Sequence, residues 1–376
     1  MGFSRKLADS ALETIGTDLG TGNVGFGLAA LDSVVSGGGY NTALGDSALT
    51  AVAGGDNNVG IGYQAGLAIT TGTDNVAIGY QTNKTASTGS CFNITVGTAS
   101  GDALTTGIHN IALGHNSLGT STTGCYNIGI GELALGGADT TGIDNIAIGQ
   151  NTADALTTGI CNVAIGANAL GASTTGCRNI AIGELAMGAT IVTGKCNVAI
   201  GQAAMDALTS GTNNIAMGLN ALGAMTIGVK NIAIGLNAMG GVTVEQVDNN
   251  IAIGITAMQG DSNTSGDYNI AFGHSALINL QGGGDNIAIG RSSSDALTTG
   301  ACNIAMGVNA YGTAAAGKEN VAIGNGAMGG SLVVGCDNVA IGRNAADALL
   351  NAADNVAIGL NALGGATTGS KNVAIG

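Results

Sequence analysis

A five-residue unit (Asn, apolar, Ala or Gly, apolar, Gly) returns along this chain at a nearly constant interval, and that period constrains the fold more than any other feature. It reads Asn75-Val76-Ala77-Ile78-Gly79, then Asn110-Ile111-Ala112-Leu113-Gly114, then Asn145-Ile146-Ala147-Ile148-Gly149. The first Asn falls at 23, 41, 58, 75, 93, 110, 127, 145, 162, 179, 197, 214, 231, 250, 269, 286, 303, 320, 338, 355 and 372. These 21 copies are separated by 17 or 18 residues, and twice by 19 near Asn250. Three residues after the Gly comes a small residue, as at Ala169, Ala186 and Ala221, often followed by Leu or Met. A Thr-Thr-Gly or a relative of it leads into the next Asn.

In Ile180-Ala181-Ile182 the alternation of β-branched and small residues is the period-two signature of a strand. A helix is excluded by the recurring Gly, each costing roughly 1 kcal/mol in a helix interior. The unit therefore predicts a short strand, a turn, a second short strand and a Gly-bearing turn. About 17 residues cannot bury their own apolar face, but stacked copies can bury it together. The expected fold is all-β, a parallel β-solenoid of about 21 rungs over residues 21–376. With rungs about 4.8 Å apart it would be a rod on the order of 100 Å long. Residues 1–20 are expected to form a separate cap or docking segment, with a short amphipathic helix over 5–15.

The stacking gives the invariant positions physical roles. Asn75, Asn110, Asn145, Asn179 and Asn214 should form an amide ladder, each side chain bonding those above and below. Gly79, Gly114, Gly149, Gly183 and Gly218 suit corners needing positive φ, or places where another backbone comes close. Small residues at the third and eighth positions suit a thin cross-section, with a core of Ile, Val, Ala and Leu. The chain has no Pro, as expected where nearly every N–H serves the ladder.

Composition narrows the function classes. Ten Lys plus Arg against 24 Asp plus Glu give a net charge of −14, with no basic patch for nucleic acid. Asp74, Asp144, Asp285, Asp337 and Asp354 sit just before an Asn, either as solvated turn residues or as cation holders between rungs. All seven Cys lie within two residues before an Asn, and Cys161, Cys177 and Cys196 fall on three successive rungs along one edge. They are small turn residues or cross-links within or between chains, and the odd count leaves at least one thiol free or shared with another chain. Neither metal-ligand cysteine spacing nor a Walker-type phosphate loop occurs. The three His, at 109, 115 and 274, sit in no recurring catalytic constellation, so neither an enzyme nor a cofactor is expected. The chain has no apolar run of 18 residues, so no membrane insertion is expected. No secretory signal follows the basic start, and the last rung ends bare, as in a cut fragment or an end-to-end filament joint.

At Asn-Ile-Ala-Ile-Gly followed by x-x-Ala-Leu, residues 23–376 resemble the head repeats of trimeric autotransporter adhesins, the YadA-like heads. That resemblance implies a left-handed β-roll packed as a homotrimer, with adhesion to a surface receptor. The units here are a few residues longer, through the Thr-Thr-Gly insert. Similar repeats occur in bacteriophage tail fibres and spikes, which need no signal peptide. The expected role is thus a structural fibre or adhesive shaft, with a virion fibre ahead of an extracellular filament or cell-surface adhesin. The recurring Thr pairs also resemble the arrays of ice-binding solenoids. Longer excursions around Gln246 and Asp261 are either recognition loops or tolerated insertions. Asp-Ala-Leu at Asp102, Asp154 and Asp206, and again at Asp295 and Asp347, recurs every 52 residues, a three-rung block laid over the rungs.

Overall fold

The computed structural model describes residues 22–33, 37–85, 89–243, 247–260, 266–330, 333–365 and 367–376. The expected N-terminal segment, its helix, Gln246 and Asp261 lie outside these residues. The chain divides into two compact units, Met1–Thr193 and Gly194–Gly376. The first carries strands β1 (Val24–Phe26) to β10 (Ile180–Ile182), and the second β11 (Val198–Ile200) to β21 (Val373–Ile375). In each unit every strand pairs in parallel with the next in sequence, without slippage: Ile111 faces Ile128, Ala112 faces Gly129 and Leu113 faces Ile130. Each unit is a parallel β-solenoid, as the period predicts.

Let the Asn of each rung be position 1 and the residue before it position 0. Among the described residues only positions 2 to 4 form a strand, and the second strand expected from the sequence does not form. Positions 7 and 9 instead take left-handed backbone angles, for instance Asn116 (φ 52°) and Leu118 (φ 49°). Position 0 does the same, as at His109 (φ 58°). A left-handed residue interrupts the pleat and costs roughly 1–2 kcal/mol when it is not Gly. Main-chain bonds between rungs offset that cost: Leu118 N–H donates to Ala134 C=O at 3.0 Å, and Asn116 N–H to Thr98 C=O at 3.0 Å. The 52-residue period is likewise built into this turn.

The strand's outward and inward faces are reversed from the expected core. Position 3 is buried, as at Ala77, Ala112 and Ala147, while the Ile and Val of positions 2 and 4 point outward and are half-exposed. The interior is too thin for a β-branched side chain on every strand. It is filled by Ala at position 3, a small residue at position 8, and a larger one at position 9 or 12. Leu118, Leu135 and Leu170 come from position 9, and Leu104, Leu156 and Leu208 from position 12. Each such Leu contributes roughly 1.5–3 kcal/mol through burial.

Candidate functional site

The Asn ladder forms as the sequence predicts. Asn110 donates its N–H and its Nδ2 to Asn93 Oδ1 at 2.9 and 3.1 Å. The same Nδ2 crosses the interior to Gly124 C=O at 2.8 Å. Asn75 bonds Asn58 Oδ1 and Ser90 C=O in this way, and Asn214 bonds Asn197 Oδ1 and Gly228 C=O. Asn145 repeats the pattern on Asn127 and Gly159, and Asn179 N–H reaches Asn162 Oδ1 at 3.0 Å. Each amide therefore does two jobs: it ties its rung to a neighbour, and it fastens the start of its own turn to the end. The second bond spans 14 residues in most rungs and 16 at Asn231, so extra residues are accommodated inside the staple.

Both reasons offered for Gly at position 5 hold together. Gly79, Gly114, Gly149, Gly183 and Gly218 have φ of 139°, 137°, 134°, 132° and 133°, a region open essentially to Gly alone. A Cβ on Gly114 would also lie 2.5 Å from the carbonyl oxygen of Gly131 on the next rung. These residues are framework, bringing no reactive group together.

The cysteines occupy two columns. Cys161, Cys196 and Cys302 stand at position 0 and are exposed, whereas Cys91, Cys125, Cys177 and Cys336 stand one residue earlier and are half-buried. All seven are free thiols, and Cys161 and Cys177 belong to different columns. Cys177 Sγ donates to Thr175 C=O at 3.2 Å. The acids Asp74, Asp144, Asp285, Asp337 and Asp354 all take position 0 with φ near 60°, a conformation that Asp and Asn tolerate better than most residues. Among the described residues no three His, Cys, Asp or Glu side chains gather as a metal site. In three of the Thr pairs the first hydroxyl is committed to the framework: Thr105, Thr157 and Thr298 donate to the carbonyls of Thr122, Thr174 and Ala315 at 3.0, 3.0 and 2.8 Å, whereas the buried hydroxyl of Thr70 has no partner.

The outer face of the strand layer is where the sequence reading missed most. Positions 0, 2, 4 and 6 point outward together, giving each unit a stripe mainly of Ile and Val, interrupted at Thr42, with two flanking columns. Of the nine described Phe and Tyr residues, eight lie exposed on this face, and only Tyr311 is buried. Phe92, His109 and Tyr126 stack at position 0 with ring centroids 4.7 and 4.8 Å apart and nearly parallel planes. Tyr63 and Tyr80 stack at position 6, at 5.4 Å. His115 approaches Glu132 of the next rung at 3.7 Å. The signal was present in the sequence: aromatics recur one unit apart, at 92, 109 and 126 and at 63 and 80.

Tyr311 replaces the usual Leu at position 9, with the small Ala314 at position 12 making room. Its hydroxyl accepts a bond from Asn320 Nδ2 at 2.8 Å, and burial pushes its ionisation well above the usual range. Compared with family models and with curated proteins, the chain matches none.

Proposed function

We propose that this chain is a structural fibre or adhesive shaft that works by self-association and surface attachment, with a virion tail fibre as the leading setting. The observation that carries the reading is the outward apolar stripe. A parallel sheet is ordinarily covered on both faces, and a contiguous apolar patch of this length marks an interaction surface. In the first unit, ten rungs about 4.8 Å apart and an outward strip roughly 20 Å wide give on the order of 900 Å². A stable interface takes about 800 Å² from each partner. The occupant with the matching rung spacing along its whole length is another copy of this chain, and the resemblance to trimeric adhesin heads favours three copies.

Native mass spectrometry of the purified chain, under reducing and non-reducing conditions, tests this. A trimer that falls to monomers in Ile146→Lys/Ile148→Lys, two outward positions of one strand, is the expected result. A monodisperse wild-type monomer would sink the proposal. An open-ended ladder of sizes would replace the trimer with a filament.

A further inference from the structure

The two columns that flank the outward stripe are complementary to each other, rung by rung. Of the Asp, Glu, Lys and Arg residues, five stand at position 6. Three of them have the opposite charge at position 0 of the same rung: Glu184 with Arg178, Arg291 with Asp285 and Arg343 with Asp337. The other two, Asp46 and Glu132, have Tyr40 and Tyr126 there, whose hydroxyls can donate to a carboxylate. No charge at position 6 has its own sign at position 0. The match also runs the other way, since Asp74 at position 0 has Tyr80 at position 6.

These pairs do not form inside one chain. Positions 0 and 6 stand at opposite margins of the strip, roughly 20 Å apart at about 3.3 Å per residue. All six members of the ionic pairs are exposed. Among the described residues no salt bridge engages Asp285, Arg291, Asp337 or Arg343. A match repeated along both margins of one face, yet out of reach within the chain, calls for a second copy.

The geometry fixes how that copy lies. When two parallel copies face each other about an axis along the stack of rungs, their strands run in opposite directions across the gap. Position 0 of one copy then meets position 6 of the other at the same height. Antiparallel copies would instead bring position 0 onto position 0, a column of six acids and three bases, so that its acidic margin faces itself. A slip of one rung also loses the match. In one direction Glu184 and Arg291 come against Cys196 and Cys302, and Glu132 against Asp144. In the other, Glu184 and Arg291 come against Cys161 and Tyr268.

We propose that the two margins are the halves of one joint, through which copies of this chain associate in parallel and without stagger, position 0 of one against position 6 of the next. The joint rests on the self-association proposed above and adds its orientation, its register and the residues that set them. Exposed ion pairs contribute little each. The apolar stripe therefore supplies the affinity, and the margins select the register by placing like charges together in the wrong one.

Native mass spectrometry of the full chain with reversed charges is the test. Asp285→Arg/Asp337→Arg and Arg291→Asp/Arg343→Asp each set like charges across the joint at two rungs, and each should weaken association about tenfold. The quadruple variant exchanges the signs at unchanged net charge and should assemble like wild type, which also separates lost pairing from misfolding. Mixed with isotope-labelled wild type it should sort into its own assemblies, because every mixed joint sets Asp against Asp or Arg against Arg. Equal assembly by all variants, a quadruple variant as weak as the doubles, or free mixing with wild type would overturn the joint. So would a disulfide between position-0 cysteines of two copies, since the joint sets Cys161 and Cys302 against Ala167 and Val308. A monomeric wild type would sink the shaft reading along with the joint, whereas an assembling wild type indifferent to these reversals would sink the joint alone.

Discussion

Cutting one amide out of the Asn ladder should weaken the fold locally and by a large amount. Asn145 is 1% exposed, and its side chain makes four bonds. Nδ2 donates to Asn127 Oδ1 at 3.1 Å and to Gly159 C=O at 2.9 Å. Oδ1 accepts from Asn162 N–H at 3.1 Å and from Asn162 Nδ2 at 3.0 Å. In Asn145→Ala two of the partners keep an alternative, because Asn127 Oδ1 still receives Asn145 N–H and Asn162 Nδ2 still reaches Gly176 C=O. Asn162 N–H and Gly159 C=O lose the partner that Asn145 gave them. A buried orphan costs about 1–3 kcal/mol, so the substitution should cost roughly 4 kcal/mol.

The effect will not read out as one global transition, because repeat arrays lose cooperativity as they lengthen. Hydrogen exchange followed peptide by peptide is the appropriate assay. Roughly 4 kcal/mol corresponds to almost three decades of lost protection. The loss should centre on rungs 127, 145 and 162 and fade within two rungs, since each repeat touches only its neighbours. Thr106→Ala, at an exposed turn position, serves as the control. A loss under about tenfold, or one spread evenly along the first unit, would refute the ladder as the local determinant of stability.

Two further perturbations separate backbone from electrostatic effects. Gly114→Ala forces a φ of 137° on a residue with a Cβ 2.5 Å from Gly131 C=O, and should cost about 3 kcal/mol or more, whereas Gly54→Ala meets nothing within 4 Å and should be neutral. Comparable denaturation midpoints for the two variants would contradict the steric account. Burial raises Asp154 above the ordinary value of 3.8, so the folded chain holds that proton more tightly than the unfolded one. Its contribution favours folding fully below 3.8 and is lost as pH rises through the raised value. Asp154→Asn should therefore resist denaturant better than wild type at neutral pH and match it below 3.8, and a gain confined to acid would reverse the sign assigned here.

The ladder and the corners were legible because Asn and Gly recur without exception, and each has few structural uses. The strand face was not, because alternation in Ile180-Ala181-Ile182 says that two sides exist without saying which is inside. The volume of the interior decides that, and it depends on rungs distant in sequence. The missing second strand left a trace that only aligned rungs display. Positions 0, 7 and 9 almost never carry Val, Ile or Thr, although those residues crowd positions 2 and 4. A β-branched residue is the least suited to left-handed angles, and Thr256 (φ 52°) is the exception at position 7. Asn at position 7, as in Asn116, Asn168 and Asn309, is the positive side of the same signal.

The three-rung block tracks how the core is filled in most of its rungs. After Leu118, Leu135, Leu170 and Tyr311 at position 9 the next residue is Gly, although Asp206 follows the equally buried Met205. In the second Gly of a pair the reason is steric: a Cβ on Gly329 would lie 2.5 Å from Asn309 C=O of the rung below, and one on Gly136 would clash with Asn116 C=O. Where position 9 shrinks to Gly101, Ala153, Ser294 or Ala346, Leu104, Leu156, Leu297 or Leu349 fills the space from position 12 instead. Position 10 then carries Asp. The two places are not mutually exclusive, since Met205 with Leu208 and Leu277 with Leu280 are buried in the same rung, so the block is a bias in how the interior is filled and not a prohibition.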